Sequence, residues 1–430
     1  MDTNTIVASV WQKGKLLLKG LMIAGLVLLL LIPAYFVQDL VREREARQKE
    51  AFAEVSSKWA GRQNITGPVL VLPYTDTLAD SGSPAGKKKL AYILPDSLTI
   101  NADVQPEERH RGIYQVMLYS STLSLSGVFG TLPLQQLKID PASVLWNEAY
   151  ICMSLEDAKG LQESIQVSWN GEPVQLSPAP VNNGVMQEGF TAPVAVAADK
   201  AVHFSTTLHV NGSEQLLFTP VGRETMVKMA SSWPDPSFTG AQLSTHRISD
   251  SGFVATWKSM AHTRSFPQAW KGDAYTLKND AFGADLFIPV NGYQKTMRSV
   301  KYAILCILLT FSAFFLIETV NRKSVHPFQY ALIGLALILF YTLLLSFSEY
   351  MGFNSAYIIA SAATIGLIGW FVKGLLQSTR LSSLLSVVLV LLYGYIFTIL
   401  QLQDYSLLLG SIGLFLTLAV IMYFSRKIQW

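Results

Sequence analysis

Residues 300–319 read VKYAILCILLTFSAFFLIET, and residues 20–37 read GLMIAGLVLLLLIPAYFV. Charge is confined to Lys301 and Glu318, near the two ends of the first run. At about 1.5 Å rise per residue, runs of this length cover roughly 27–30 Å as helices, the thickness of a bilayer's hydrocarbon core. Further runs follow at 330–347, 356–372, 381–400 and 406–424. Half of the 430 residues are hydrophobic and only 15% are charged, but the stretch between the first two runs has ordinary soluble composition. The sequence therefore predicts an α+β membrane protein with one N-terminal transmembrane helix, a large, mainly antiparallel β domain, and a C-terminal bundle of five transmembrane helices.

The segments expected on this reading are an N-terminus at 1–19, a first span at 20–37, a helical extension at 38–60, a β-rich domain at 61–299, five spans within 300–424, and a C-terminus at 425–430. Run 20–37 is read as a retained anchor, because no small-x-small cleavage site closes it. Orientation follows from the short loops, where positive charge stays cytoplasmic. Arg322 and Lys323, Lys373 and Arg380, and Arg426 and Lys427 fall in alternate loops or at the end, while Ser348–Ser355 and Gln401–Tyr405 contain Glu349 and Asp404 and no Lys or Arg. Both termini are expected in the cytoplasm and the β domain in the periplasm. Arg42, Arg44, Arg47 and Lys49, with Lys295, Arg298 and Lys301, break that pattern on the outer side. They flank a long translocated region, which largely escapes the charge rule.

Within the soluble stretch, Val202, Phe204, Thr206, Leu208 and Val210 alternate with polar residues up to Asn211-Gly212, which predicts a strand and then a hairpin turn. Ile165, Val167 and Trp169 before Asn170-Gly171, with Val174 and Leu176 after it, predict a second hairpin. Leu123, Leu125 and Val128 extend the strand pattern, and Ser81 to Lys89, SGSPAGKKK, reads as an exposed loop.

The chemistry-bearing patterns are sparse. Gly82 to Lys88 has one residue too few between its glycines for a phosphate loop and Lys88 where the hydroxyl should stand. His203 and His209 share the polar face of one strand, a conceivable metal pair with no carboxylate or cysteine at ligand spacing, so a solvated face is expected instead. Gly410-Ser411-Ile412-Gly413 has the wrong spacing for a nucleophile elbow. No catalytic, cofactor-binding or metal-ligating residue is assigned, and no cofactor is expected. Cys152 and Cys306 lie in different regions and are not expected to pair. The net charge of +3 is small for the length, and the basic residues gather at the edges of apolar runs rather than on one face, so no nucleic-acid partner is expected.

Two residues stand out as candidates. Glu318 is the one acidic residue inside an expected span, and intramembrane carboxylates often mark coupling sites, with His326 as its companion on that reading. The reading preferred here is local and structural, an i, i+4 pair with Arg322 near the headgroups, for which Glu318→Gln costs at most about 1 kcal/mol if the pair is exposed. Ala362 and Gly366 form a small-x-x-x-small pair suited to packing within the bundle or against a second copy of the chain as a homo-oligomer.

Gly112-Ile113-Tyr114-Gln115, Ser231-Ser232-Trp233-Pro234-Asp235-Pro236-Ser237-Phe238, Lys301 to Leu305 with Phe314 to Thr319, and His326-Pro327-Phe328-Gln329-Tyr330 resemble segments of the CreD family of bacterial inner-membrane proteins. The order of spans is similar too, so the resemblance covers nearly the whole chain. It implies a Gram-negative inner membrane, a periplasmic domain, and a role in cell-envelope integrity under a two-component stress system. It supplies no mechanism and no ligand residues. The partners expected are the lipid bilayer and an unidentified envelope protein or lipid. A non-enzymatic envelope protein is the first expectation, and a transporter or lipid-handling protein using the helix bundle is the alternative.

Overall fold

The computed structural model describes residues 3–75, 88–179, 189–286, 291–321, 325–402, 408–413, 415, 419 and 422. It divides into two compact units, Ala51–Ile288 and Met1–Glu50 with Pro289–Trp430.

The first unit contains β1 (Gln63–Thr75), β2 (Lys88–Ile93), β3 (Ser97–Arg111), β4 (Tyr114–Phe129), β5 (Tyr150–Leu155), β6 (Gln166–Trp169), β7 (Glu172–Gln175) and β8 (Ser177–Ala179). It continues with β9 (Gly189–Pro193), β10 (Val202–Phe218), β11 (Glu224–Ser231), β12 (Ser237–Gly240), β13 (Thr245–Ser249), β14 (Gly252–Met260), β15 (Ala269–Lys271) and β16 (Phe282–Leu286). The strands form one connected sheet in the order β13-β14-β11-β3-β4-β10-β1-β5-β9-β8, with the rest attached as branches. Among the described residues every pairing is antiparallel except β1 with β10 and β3 with β11. Leu98 and Ile100 of β3, Leu123 and Leu125 of β4, and Phe204 and Leu208 of β10 point into the core, as their alternation with polar residues requires.

β10 runs straight through Asn211-Gly212, so the hairpin turn expected there does not exist. Residues Val202 to Ser213 pair with β4, while Glu214 to Phe218 pair with β16, and Leu216 to Phe218 also pair with β1. The change of partner falls at Glu214, whose φ of 62° redirects the strand. Gly212 is needed for close approach rather than for a turn: a Cβ there would lie 2.2 Å from the Tyr119 hydroxyl oxygen. Asn170-Gly171 does turn the chain, with φ of 50° and 91°, and joins β6 to β7 as expected. Gly82 to Lys87, with most of the expected 81–89 loop, lies outside the described residues, and Lys88 and Lys89 already belong to β2.

The second unit holds most of α1 (Thr3–Trp59) together with α2 (Asn291–Lys301), α3 (Ala303–Val320), α4 (Pro327–Met351), α5 (Phe353–Leu376) and α6 (Thr379–Gln401). Five of these helices, α1 and α3 to α6, are long and apolar enough to cross a membrane. The sixth expected span, 406–424, lies largely outside the described residues. On α1 the buried residues Val27, Leu30, Ala34, Val37 and Val41 recur at intervals of three and four, one stripe of a helix. Leu30 fits against Gly334 of α4, where a Cβ would meet its Cδ1 at 2.2 Å and the Phe311 ring at 3.0 Å. α5 and α6 meet at Gly369, whose carbonyl accepts from Ser382 Oγ at 2.7 Å. Ala362 and Gly366 are exposed instead, so the small pair is not used in packing these described helices together.

Candidate functional site

Glu318 sits near the end of α3 and is 4% exposed. A carboxylate buried to that degree must be paired and hydrogen-bonded if it is ionised, and Glu318 is both. Lys19 of α1 donates to its Oε1 and also to the Val325 carbonyl at 2.8 Å. The Val325 N–H donates to Oε1 at 2.9 Å, and the Tyr330 hydroxyl donates to Oε2 at 2.7 Å. Phe311 and Phe314 enclose the Tyr330 ring, with centroids 5.5 and 4.9 Å away. The constellation joins α1, α3, the following loop and α4 through one carboxylate whose two oxygens are both occupied. It has the chemistry of a clamp. Arg322, the partner expected from spacing, lies outside the described residues.

His326 is the N-cap of α4. Its Nδ1 accepts from the Phe328 N–H at 3.2 Å, and its own N–H donates to Gln329 Oε1 at 2.9 Å, a reciprocal cap with Pro327 at the first helical position. Among the described residues no hydrogen bond links His326 to Glu318; its neighbour Val325 makes that contact instead, through its N–H.

A second polar cluster marks the other end of the helical unit. Glu349, near the end of α4, accepts from the Tyr293 hydroxyl at 3.0 Å and faces Arg44 Nε at 3.8 Å. Lys19 and Arg44 are 25 residues apart on α1, roughly 37 Å of helix, so the two clusters bracket a length close to a bilayer's apolar core.

In the β unit, His203 and His209 are six residues apart on β10, about 20 Å along an extended strand, too far to share a metal. Among the described residues no group of three or more His, Cys, Asp or Glu is gathered for a metal ion. His209 instead contacts Thr122 Oγ1 at 3.2 Å and Glu163 at 3.5 Å.

The solvent face of the same sheet carries two adjoining hollows of about 550 and 400 Å³. Strand register builds them. Thr99, Ser126, Ser205 and Ser168 stand in one row across β3, β4, β10 and β6, and Asn101, Ser124 and Thr207 stand in the next. The hollows share Ser126, Ser168, Gly171 and Ser205, and no Lys, Arg, Asp or Glu lines either one. None of the hydroxyls in these two rows is hydrogen-bonded within the described protein. Just beyond them the pattern changes: Ser120 Oγ donates to Asn211 Oδ1 at 2.9 Å, and Gln162 Nε2 donates to the same oxygen at 2.5 Å. The sequence reading placed Ser205 and Thr207 on a merely solvated face. The available signal was that the outward positions of three separate strands, 97–101, 122–126 and 203–207, are almost all small and uncharged.

Five apolar helices, one preceding a large β unit and four following it, define a multi-pass integral membrane protein of the α+β class. The chain belongs to the CreD family: the sequence pattern of the family described as inner membrane protein CreD matches residues 15–430. The inner membrane protein CreD of Escherichia coli (strain K12) is 32% identical over 434 residues, spanning 97% of this chain and 94% of that one. Among solved structures, an M1 zinc metallopeptidase from Deinococcus radiodurans is similar over 39% of this chain and 38% of its own, with 9% identity and a TM-score of 0.19, too slight a likeness to define a shared fold.

Proposed function

We propose that this inner-membrane protein is a non-enzymatic component supporting envelope integrity under stress. In this reading the helical unit anchors the chain with both termini in the cytoplasm, and the periplasmic β unit engages an envelope component through the hollows on its sheet. The observation that carries it is the pair of contiguous hollows, lined by no Lys, Arg, Asp or Glu, in which the hydroxyls of Thr99, Ser124, Ser126, Ser168, Ser205 and Thr207 make no hydrogen bond within the described protein. Free donors and acceptors displayed together in a concavity offer a partner hydrogen bonds without first breaking bonds inside the protein. The clamp at Glu318 supports an anchoring role for the helices, since its carboxylate is already neutralised by Lys19.

A photo-crosslinking residue placed at Ser126 in living cells tests this. Adducts are expected at Ser126 and not at Lys278, an exposed position away from the hollows. Equal labelling at the two positions would remove the hollows from consideration as a binding surface.

A further inference from the structure

We propose that the hollows on the β3, β4, β10 and β6 face bind an uncharged glycan strand, a ligand assignment that rests on the binding role proposed above. A serine or threonine hydroxyl both donates and accepts, and the side-chain amides of Asn101 and Gln166 add separate donors and acceptors. The matching partner is one that carries donors and acceptors densely and in mixed order, as the hydroxyls and acetamides of a sugar chain do.

Charge narrows the choice. A polyanion needs cations for its phosphates or carboxylates, and the hollows are lined by no Lys or Arg, with His203 their one titratable side chain. The same sheet shows what an ordinary solvated face looks like: on β11 and β14 the outward positions include Glu224, Lys228 and Lys258, with Lys258 paired to Glu224 at 2.7 Å. On this face the uncharged stretch of β3 is Ser97 to Asn101, with Lys228 of β11 beside Asn101 and Asp103 the next outward position along β3.

Geometry excludes two other occupants. β4 and β10 are interior strands paired on both sides, so an extended peptide cannot add to them as a new strand. A lipid tail laid on this face would bury unpaired hydroxyls, which is unfavourable. A linear sugar chain suits the lattice, because the rows repeat about every 4.8 Å across the strands and about 6.8 Å along them, a periodic array for a periodic polymer.

The test uses the full chain in detergent micelles, with chitohexaose as the probe and saturation-transfer NMR and calorimetry as readouts. Saturable binding is expected. Ser126→Arg with Ser205→Arg should weaken it about tenfold by filling the hollows with charge, and Ser126→Ala with Ser205→Ala should weaken it about threefold. Lys258→Ala should leave it unchanged, and heparin should not compete. Absence of saturable binding by the wild-type chain up to about 1 mM, wild-type affinity in the alanine pair, or displacement by heparin would each overturn the assignment. Should crosslinking at Ser126 capture a protein or lipid while chitohexaose does not bind, the binding role stands and the glycan assignment falls.

Discussion

Glu318 shows how a single side chain can look local in sequence and be long-range in space. Its cationic partner is Lys19, 299 positions away, and no helical spacing rule connects them. The i, i+4 reading led to an expected penalty of at most about 1 kcal/mol for Glu318→Gln. The structure revises that figure upward, because the substitution leaves the Lys19 ammonium, only 20% exposed, beside a neutral amide. Removing one member of such a pair costs about 3 kcal/mol, discounted somewhat for the partial exposure of Lys19. The predicted result is a clear loss of thermal stability in detergent for Glu318→Gln, with Lys19→Met in the same chain recovering at least half of it. A double variant whose loss is the sum of the two single losses would show that the ion pair contributes no coupling. Most of the candidate site was hidden from sequence for the same reason. The hydroxyls of Thr99, Ser126 and Ser205 become neighbours only through strand register.

At the scale of elements, periodicity was legible and punctuation was not. The alternation along β10 identified the strand, while Asn211-Gly212 was read as its end because Asn-Gly commonly supplies the positive φ of a hairpin turn. The even-numbered inward positions in fact continue to Leu216 and Phe218. Gly212 is there for Tyr119, whose buried hydroxyl donates to the Gln215 carbonyl at 2.8 Å and is pushed well above its ordinary pKa by desolvation. Gly212→Ala should therefore destabilise the β unit by about 2 kcal/mol through overpacking, and Tyr119→Phe in the same chain should relieve part of that loss. Gly171→Ala, at a true turn with open space around it, should cost only about 1 kcal/mol of backbone strain. Urea unfolding of the full chain, followed by tryptophan fluorescence, measures all three. A Gly212→Ala penalty no larger than that of Gly171→Ala would mean that Tyr119 yields and the close approach is not specific.

At the scale of the whole molecule, apolar run length alone located the described spans, since a bilayer sets a minimum length that few soluble segments meet. What remained awkward in the sequence was the positive charge on the side assigned to the periplasm. The structure gives several of those charges intramolecular partners: Arg44 faces Glu349, Lys295 donates to Gln401 Oε1 at 3.1 Å and lies over the Phe353 ring, and Arg298 reaches the Ile399 carbonyl near the end of α6. Lys373 in the last turn of α5 and Arg380 in the first turn of α6 are exposed, and among the described residues neither side chain makes a hydrogen bond or ion pair. The orientation proposed above places these two cations at the anionic cytoplasmic surface. The two native cysteines are both buried, which permits a direct measurement. In a background carrying Cys152→Ser and Cys306→Ser, single cysteines at exposed Asn321 and Tyr350 should report opposite compartments. A membrane-impermeant maleimide added to cells with a permeabilised outer membrane should label Tyr350→Cys at once and Asn321→Cys only after lysis. Reversal of that order would invert the orientation and put the β unit in the cytoplasm, and immediate labelling of both would mean that α4 does not cross the membrane.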